Sequence, residues 1–303
     1  MSKVIRIGTR DSELALWQAK TVQAALEELG HKTELLPVKS TGDLNLEQPL
    51  YEMGITGIFT KTLDVAMLTG KIDIAVHSMK DVPTALPKGI VEAAVLKRAN
   101  SKDILIHKGL DFLNSEGVIA TGSLRRKAQW LNKYPSHSSV DLRGNVNTRM
   151  QKLKDSDWNG AIFAAAGLER INLTPENSLD LDWMLPAPAQ GAMLVVAMEN
   201  DTETRDILKS LNHRESEICV HMEREFLKVL EGGCTAPIGA LAKIEGNEIS
   251  FKGALFSLDG KKQVSIERRI SIEDAPNFGK ECALKVLNSG GRVLMEGIKK
   301  ALN

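Results

Sequence analysis

The sequence predicts an α/β protein: two modules of alternating strands and helices around a cleft, then a small C-terminal α+β domain with a three-stranded sheet and a helix. Short apolar runs alternate with amphipathic stretches up to residue 198. Polar or proline-containing segments at 97–101 and 186–191 mark where the chain passes from the first module to the second and back. Three strand-like runs joined by short turns follow residue 238.

The composition narrows the class of protein. Lys plus Arg and Asp plus Glu number 39 each in 303 residues, so the formal net charge is zero, which argues against bulk affinity for nucleic acid or membranes. No apolar run reaches the ~20 residues of a membrane span, and the start reads as a strand rather than a signal peptide. Three cysteines without metal-ligand spacing predict neither a disulfide framework nor a metal site. We therefore expect a cytoplasmic protein.

The first module begins with a strand at 4–7 that ends at Gly8, and a helix runs to about Leu29. We expect its apolar face to hold Leu14, Trp17, Val22, Leu26 and Leu29. The polar turn between strand and helix suits an anion, because free N–H groups and the helix dipole point at it. Arg10 and Ser12 would add side-chain donors, although an ordinary capped helix with a solvated arginine is the alternative.

Strands are also predicted at 33–38, 72–76 and 91–96, with a helix at 59–68 that carries Lys61 near its start. The long glycine-dotted connection at 40–58 is typical of a lid or binding loop.

A charged segment, His77–Pro83, follows the third strand. Ligands of open α/β sheets bind beyond the carboxyl ends of the strands, which is where Lys80 and Asp81 would lie. A carboxylate there can act as a general acid, a base or a stabiliser of positive charge. The alternative is an exposed ion pair of little consequence. We expect His77 to be a packed residue, because it has no Ser or Cys partner.

In the second module, strands are predicted at 104–106, 118–120, 140–142 and 161–164. Arginines recur at or near the strand-to-helix turns: Arg125 with Arg126, Arg143 with Arg149, and Arg170. Arginine binds carboxylates through two parallel hydrogen bonds, and helix N-termini reinforce that binding. Three such turns at one sheet edge predict a cleft for polyanions, with solvated arginines or local salt bridges as the alternative.

The chain then returns through 186–191 to a strand at 192–198, and helices are predicted at 202–211 and 214–230. Two crossings between two modules are typical of a hinge that closes on a ligand. The C-terminal strands are expected at 238–244, 249–258 and 264–272. A helix from 277 to 302 follows, with Gly290 and Gly291 as an interruption. Cys234 stands at the entrance to this domain on a turn freed by two glycines.

Together these residues predict carboxylate-rich substrates held near a tethering thiol, with a carboxylate that controls positive charge. Two alternatives stay open. A non-catalytic anion-binding module would explain the hinge and the arginines but would leave Cys234 and Asp81 without a role. A cysteine hydrolase would need a histidine partner that cannot be assigned.

Several ordered motifs resemble the hydroxymethylbilane synthase (porphobilinogen deaminase) family. They are Gly8–Ser12 with Leu14–Ala19, Val76–Pro83, Ser123–Arg126, Leu142–Arg149, Ala166–Arg170 and Gly232–Cys234. The resemblance is colinear from residue 4 to the last helix. It implies two domains like those of periplasmic binding proteins plus a third: 1–98 with 192–212, 102–188, and 214–303.

The resemblance also implies a transferase that joins four porphobilinogen molecules to a dipyrromethane cofactor, with loss of ammonia, and then releases hydroxymethylbilane. Asp81 would be catalytic and would assist departure of the amine. The implied cofactor-binding residues are Cys234 (a covalent thioether), Lys80, Asp81, Ser123, Arg125, Arg126, Arg143, Asn145 and Gly191. The implied substrate-binding residues are Arg10, Ser12, Arg149, Arg170, Gln190 and Lys61. We expect a monomer without nucleic-acid or membrane partners.

Some positions depart from the family pattern. They are Thr56 in the lid, where a lysine is usual, Thr62, where an acid is usual, Gly122 in place of a serine, and Ala189 in place of a glycine.

Overall fold

The computed structural model describes residues 3–38, 60–230 and 236–302. These residues form two five-stranded sheets and one three-stranded sheet. The chain divides into two compact units: the first holds the described residues of Met1–Leu46, Ile55–Ala99 and Gly191–Glu217, and the second those of Asn100–Gln190 and Ile218–Asn303. The predicted α/β class with a separate C-terminal sheet is confirmed. The division into three domains stays a prediction.

The first unit is built on a five-stranded sheet of order β2-β1-β3-β10-β4. Strands β1 and β2 are parallel, β1 and β3 are parallel, and β10 runs antiparallel to both β3 and β4. The strands are β1 (Val4–Arg10), β2 (Lys32–Val38), β3 (Ile74–Ser78), β4 (Ile90–Val95) and β10 (Met193–Met198). The helices are α1 (Glu13–Glu28), α2 (Lys61–Leu68) and α6 (Thr202–Leu208), and the long helix α7 (Arg214–Val229) begins in this unit.

The apolar face of α1 differs in part from the prediction. Val22 and Leu26 are buried as expected, but Trp17 and Leu29 are 37% and 50% exposed. The buried stripe instead includes Ala15 and Ala19, because small side chains let the helix approach the sheet closely. The large aromatic side chain is left at the margin.

The second unit holds a five-stranded sheet of order β7-β6-β8-β5-β9. Its strands are β5 (Asp103–His107), β6 (Val118–Ala120), β7 (Ser138–Val140), β8 (Gly160–Ala164) and β9 (Ser178–Asp180). Its helices are α3 (Leu124–Lys133), α4 (Val146–Asp155) and α5 (Ala165–Glu169). The strand predicted at 140–142 ends at Val140, and β9 was not predicted, because its Ser-Leu-Asp sequence is short and polar.

The two five-stranded sheets share one topology. In each, the second strand in the order, β1 or β6, pairs in parallel with two neighbours, and an antiparallel strand joins that parallel set to the last edge strand. The antiparallel strands are β10 and β5, which are the first strands after the two crossings of the chain. Each sheet is therefore completed by a chain segment that has just left the other unit.

The C-terminal part of the second unit is an antiparallel sheet of order β11-β12-β13. Its strands are β11 (Ile238–Glu245), β12 (Glu248–Phe256) and β13 (Gln263–Ser271), followed by α8 (Phe278–Val286) and α9 (Arg292–Leu302). Phe226 of α7, Phe251 and Phe278 form its buried centre with edge-to-face rings. The interruption predicted at Gly290 is confirmed: φ there is 106°, and the segment between α8 and α9 is kinked.

Candidate functional site

In the first unit, parallel strands bring several predicted residues to one sheet edge. Strand β1 ends at Arg10 and β3 at Ser78, and their register pairs Gly8 with Ala75. The side-chain amide of Gln18 on α1 donates to Ser78 Oγ at 2.8 Å, which fixes the helix to the end of β3. The predicted anion-binding turn and the predicted acid–base segment therefore lie at neighbouring strand ends.

His77 is buried beside this edge, as expected for a packed residue. Burial lowers its pKa to about 4, and the positive charge of Arg10 acts in the same direction. The imidazole is therefore neutral at physiological pH. Arg10 is the last residue of β1, the strand next to β3.

Lys80 and Asp81 lie in a single 3-10 turn, Met79–Asp81, directly after β3. The turn is anchored by the N–H of Met79, which donates to the carbonyl of Ala192 at 3.0 Å. Lys80 and Asp81 are both half-buried. A carboxylate in this position is held by rigid backbone yet is still open to a ligand.

The two remaining predicted residues of the first unit have different surroundings. Ser12 is the N-cap residue of α1 and has extended backbone, but its hydroxyl makes no capping hydrogen bond. Lys61 is exposed on the first turn of α2. Thr56 and the rest of the predicted lid lie outside the described residues.

In the second unit, Ser123 begins α3 and places two arginines in its first turn. The Ser123 Oγ accepts the N–H of Arg126 at 3.4 Å. Arg125 and Arg126 are only 5% and 6% exposed. The sequence predicted the double arginine at this turn, but it did not predict the depth at which these side chains lie.

Asp103, which was not among the residues predicted from the sequence, pairs with both arginines. Its Oδ2 accepts from Arg125 Nη1 at 2.6 Å, and its Oδ1 accepts from Arg126 Nε at 2.9 Å. Arg125 Nη1 also donates to the carbonyl of Leu185, and Arg126 Nη1 to the carbonyl of Ile162. No local sequence signal joins Asp103 to residues 22 and 23 positions further on, so only the fold reveals the pair.

The turn with Arg143 lies directly against the turn with Ser123. The N–H of Thr121 donates to the carbonyl of Val140 at 2.9 Å. A Cβ on Gly122 would lie 2.7 Å from the carbonyl oxygen of Leu142 and 3.8 Å from Cδ of Arg143. The family departure at Gly122 therefore lets these two turns approach closely.

Arg149 and Asn145 are held by the start of α4. Asn145 Oδ1 caps the helix by accepting the N–H of Thr148 at 2.9 Å. Arg149 Nε donates to the carbonyl of Gly144 at 2.7 Å. Gly144 has φ of 114°, a conformation that only glycine adopts readily.

Burial lowers the pKa of two other arginines, Arg143 and Arg170, from the ordinary value. The nearby carboxylate of Asp141 opposes the change at Arg143, and that of Glu169 opposes it at Arg170. A guanidinium with reduced access to water binds a carboxylate more strongly, because the local dielectric constant is lower. These side chains are therefore suited to bind anionic ligands.

Gln190 and Gly191 lie at the second crossing. Gln190 is fully buried, and its Nε2 donates to the carbonyl of Ser101 at 2.8 Å and to Asp103 Oδ1 at 3.0 Å. Gly191 has φ of 88°. Ala189, which departs from the family glycine, also has a positive φ of 62°.

The structure thus gathers Arg10, His77, Lys80 and Asp81 at one sheet edge of the first unit. In the second unit it gathers Ser123, Arg125, Arg126 and Arg143 at adjoining turns. Cys234 lies outside the described residues. Within the described ranges, no group of three or more His, Cys, Asp or Glu residues could hold a metal ion. No helix in that part of the chain is long and apolar enough to span a membrane.

Several solved structures have distant similarity to the fold, with TM-scores below 0.5. The periplasmic VFT2 domain of BvgS from Bordetella pertussis has a TM-score of 0.43 and 13% identity, over 69% of this chain and 86% of that domain. The probable amino-acid ABC transporter extracellular-binding protein ytmK from Bacillus subtilis has a TM-score of 0.45 and 12% identity, over 70% and 90% of the two chains.

Curated relatives match almost the whole chain. Porphobilinogen deaminase of Chloroherpeton thalassium is 40% identical over 294 residues, which are 93% of this chain and 94% of the relative. The protein of the same name from Desulforamulus reducens is 40% identical over 306 residues, 99% of each chain. That of Desulfitobacterium hafniense is 41% identical over 305 residues, 98% of each chain.

Two family descriptions match successive parts of the sequence. Residues 5–206 match "Porphobilinogen deaminase, dipyromethane cofactor binding domain". Residues 217–288 match "Porphobilinogen deaminase, C-terminal domain". The chain therefore belongs to the porphobilinogen deaminase family.

Proposed function

We propose that the chain joins four porphobilinogen molecules head to tail on a dipyrromethane primer, with loss of ammonia at each addition, and then releases hydroxymethylbilane by hydrolysis. As a member of its family the chain is a transferase of tetrapyrrole synthesis, and it includes the dipyrromethane cofactor domain. The observation that carries the proposal is the buried pair Arg125 and Arg126 at the start of α3, within that domain.

The residues present fit the cofactor. A dipyrromethane built from porphobilinogen carries several carboxylates, and guanidinium groups at helix N-termini bind carboxylates well. Arg125 Nε is buried and has no hydrogen-bond partner among the described residues, so it leaves a donor for a ligand. We propose that the following residues hold the cofactor: Cys234 through a thioether, Lys80, Asp81, Ser123, Arg125, Arg126, Arg143, Asn145 and Gly191.

A second set of residues would bind the incoming substrate and the growing chain. Every pyrrole added brings two more carboxylates, so several cationic side chains are needed. We assign this role to Arg10, Ser12, Lys61, Arg149, Arg170 and Gln190. For Arg149, the bond from Nε to Gly144 fixes the side chain in one orientation. For Gln190, the described contacts are to Ser101, Lys102 and Asp103, so it would act mainly through its neighbours.

Asp81 would manage the positive charge of the reaction. Its carboxylate would accept hydrogen bonds from pyrrole N–H groups and stabilise cationic character while the amine departs. The 3-10 turn after β3 supports this role, because its backbone is anchored through Met79 to Ala192. The dipyrromethane, when bound, supplies the pyrrole position at which the product grows.

We further propose that the protein acts as a monomer in the cytoplasm on the small-molecule substrate porphobilinogen, without membrane or nucleic-acid partners. The equal numbers of basic and acidic residues support the last point. Cys282 is a buried free thiol in the part of the chain that the structure describes, which fits a reducing compartment. Sedimentation equilibrium would test the monomer, since a dimer would contradict it.

Intact-mass analysis of the purified full chain tests the proposed function. We expect the mass of the polypeptide plus one covalent dipyrromethane, together with release of one ammonia per porphobilinogen consumed. The Cys234→Ser variant should show the bare polypeptide, whereas Cys282→Ser, at a buried position on α8, should keep the adduct. A chain that binds porphobilinogen without releasing ammonia would instead be a binding module.

A further inference from the structure

One buried carboxylate organises the double arginine at the start of α3. Asp103 is fully buried and receives hydrogen bonds from Arg125 Nη1, Arg126 Nε and Gln190 Nε2 at 2.6, 2.9 and 3.0 Å. Arg126 Nη2 also lies 2.8 Å from Oδ1. Donors on two residues of α3 and on the crossing segment therefore converge on a single side chain.

The charges within this trio do not cancel. One carboxylate stands against two guanidinium groups, and all three side chains are more than nine-tenths buried. Burial by itself would raise the pKa of Asp103, but the two arginines outweigh burial and hold that pKa well below its ordinary value. Asp103 is therefore ionised at physiological pH, and the three groups together carry one excess positive charge.

Backbone carbonyls also hold the two arginines in their orientation. Arg125 Nη1 also donates to the carbonyl of Leu185 at 2.7 Å, and Arg126 Nη1 donates to that of Ile162 at 2.9 Å. Arg125 Nε is buried without a hydrogen-bond partner in the described part of the chain. A buried donor left without an acceptor is costly, so such an atom marks a place for an acceptor that a ligand brings.

Residues from both crossings of the chain meet at the cluster formed by Asp103, Arg125 and Arg126. Asp103 is the first residue of β5, which follows the first crossing, and Gln190 ends the second. Gln190 Nε2 also donates to the carbonyls of Ser101 and Lys102. The position of Asp103, and through it of both guanidinium groups, is thereby tied to the two crossing segments.

We propose that Asp103 is a positioning residue for the cofactor: it fixes the Arg125 and Arg126 guanidinium groups and neutralises only one of their two charges, so that the pair takes up one carboxylate of the dipyrromethane. The inference rests on the proposed function. Asp103 itself does not touch the cofactor in this arrangement. Gln190 supports Asp103 by donating to Oδ1, the same oxygen that accepts from Arg126.

The role of Asp103 can be tested by measuring how the apoprotein acquires its covalent cofactor. Full-length apoprotein, made in cells without porphobilinogen, would be incubated with increasing porphobilinogen, and the fraction carrying the covalent adduct would be measured by intact mass. Asp103→Asn removes the charge, and Asp103→Glu keeps the charge but displaces it by one methylene. For both variants we expect the porphobilinogen concentration at half-maximal loading to rise roughly ten- to hundred-fold, the size expected for charge-assisted hydrogen bonds.

Asp73 provides a matched control in the first unit. It is a buried carboxylate at a similar place, directly before β3, and it binds the guanidinium of Arg6 through two hydrogen bonds of 2.9 Å. Asp73→Asn should lower the melting temperature but leave the half-loading concentration of the folded protein unchanged. A purely structural role for Asp103 would produce that same pattern, which would overturn the inference.

The possible results distinguish a failure of the positioning role from a failure of the proposed function. If wild-type protein acquires no adduct, the proposed function fails. If wild-type protein loads and Asp103→Asn loads at the same porphobilinogen concentration, only the positioning role is overturned. If both Asp103 variants fail to fold, Gln190→Leu decides: a raised half-loading concentration supports the role, and an unchanged one refutes it.

Discussion

The carboxylate of Glu223 accepts the backbone N–H of Ala189 through Oε2 at 2.7 Å and that of Ala242 through Oε1 at 2.8 Å. Glu223 lies on α7, Ala189 on the second crossing and Ala242 on β11, so one buried side chain joins three segments of the second unit. Ala189 has a positive φ, which is unfavourable for a residue with a Cβ. The hydrogen bond from Glu223 helps to hold it in that conformation.

Replacement of Glu223 by leucine should destabilise the protein by about 2–4 kcal/mol, because two buried N–H groups would lose their acceptor. Chemical denaturation with urea would measure the change. Glu215→Leu, at an exposed position on the same helix, should change stability by less than about 0.5 kcal/mol. Equal effects for the two variants would show that the Glu223 contacts contribute nothing.

The hairpin between β12 and β13 should be sensitive to a methyl group at Gly260. A Cβ there would clash with the carbonyl oxygen of Ala128 and lie 2.8 Å from the backbone nitrogen of Asn132, both on α3. Asn132 Nδ2 also donates to the carbonyl of Gly260 at 2.7 Å. Gly260→Ala should therefore push the hairpin from the helix that carries Arg125 and Arg126.

Gly246 offers a close control for that substitution. It has φ of 65°, against 73° for Gly260, but no atom lies within 4 Å of a Cβ built on it. Gly246→Ala should cost only the backbone strain of about 1 kcal/mol, and Gly260→Ala at least about 2 kcal/mol more. Urea denaturation of both variants would measure the difference, and similar losses would mean that the contact with α3 can relax freely.

The stability of the protein should fall as pH drops from about 6.5 to 4, because His77 stays neutral in the folded state. Its folded pKa is lowered to about 4 from 6.5, so the unfolded chain binds a proton first. The stabilisation is present above pH 6.5 and is lost as pH falls through 4, with a total of about 3 kcal/mol. Protonation of Asp103 also lowers the stability of the folded protein as pH falls, but this loss begins only below the ordinary aspartate pKa of 3.8.

His77→Gln should remove most of the slope between pH 6.5 and 4 without removing the loss below pH 4. The unfolding free energy, measured with urea at intervals of half a pH unit, would show this. A variant with the wild-type slope would assign the pH dependence to other groups.

Asp81→Asn should keep the fold and lose turnover by roughly a hundred- to ten-thousand-fold, the range expected when a positioned acid–base group is removed. Steady-state release of ammonia from porphobilinogen would measure the loss, and thermal unfolding would confirm the fold. Asp111→Asn removes an exposed carboxylate from another short 3-10 turn and should leave turnover unchanged. Near-normal turnover in Asp81→Asn would remove the role assigned to it.

The order of strands and helices could be predicted from the sequence, because it depends on local signals. Strands are short and apolar, helices start at polar turns such as Asp11–Ser12, and glycines stop or bend them, as Gly290 does. The elements that were not predicted are those that lack such local signals. Strand β9 is three residues of mixed polarity, and it exists because it pairs with β5.

The sequence by itself determined the family motifs and the strand-end positions of Arg10, Asp81, Arg125, Arg126 and Arg143. It could do so because a strand that ends in a polar turn before a helix is readable from residues close together in the chain. Only the tertiary structure decided how far these side chains are buried and what holds them. Asp103 meets the two arginines, and Glu223 meets Ala189 and Ala242, across 19 to 34 positions of sequence. A hydrogen bond or ion pair acts over a few ångströms in space, so its partners become known only when the chain is folded.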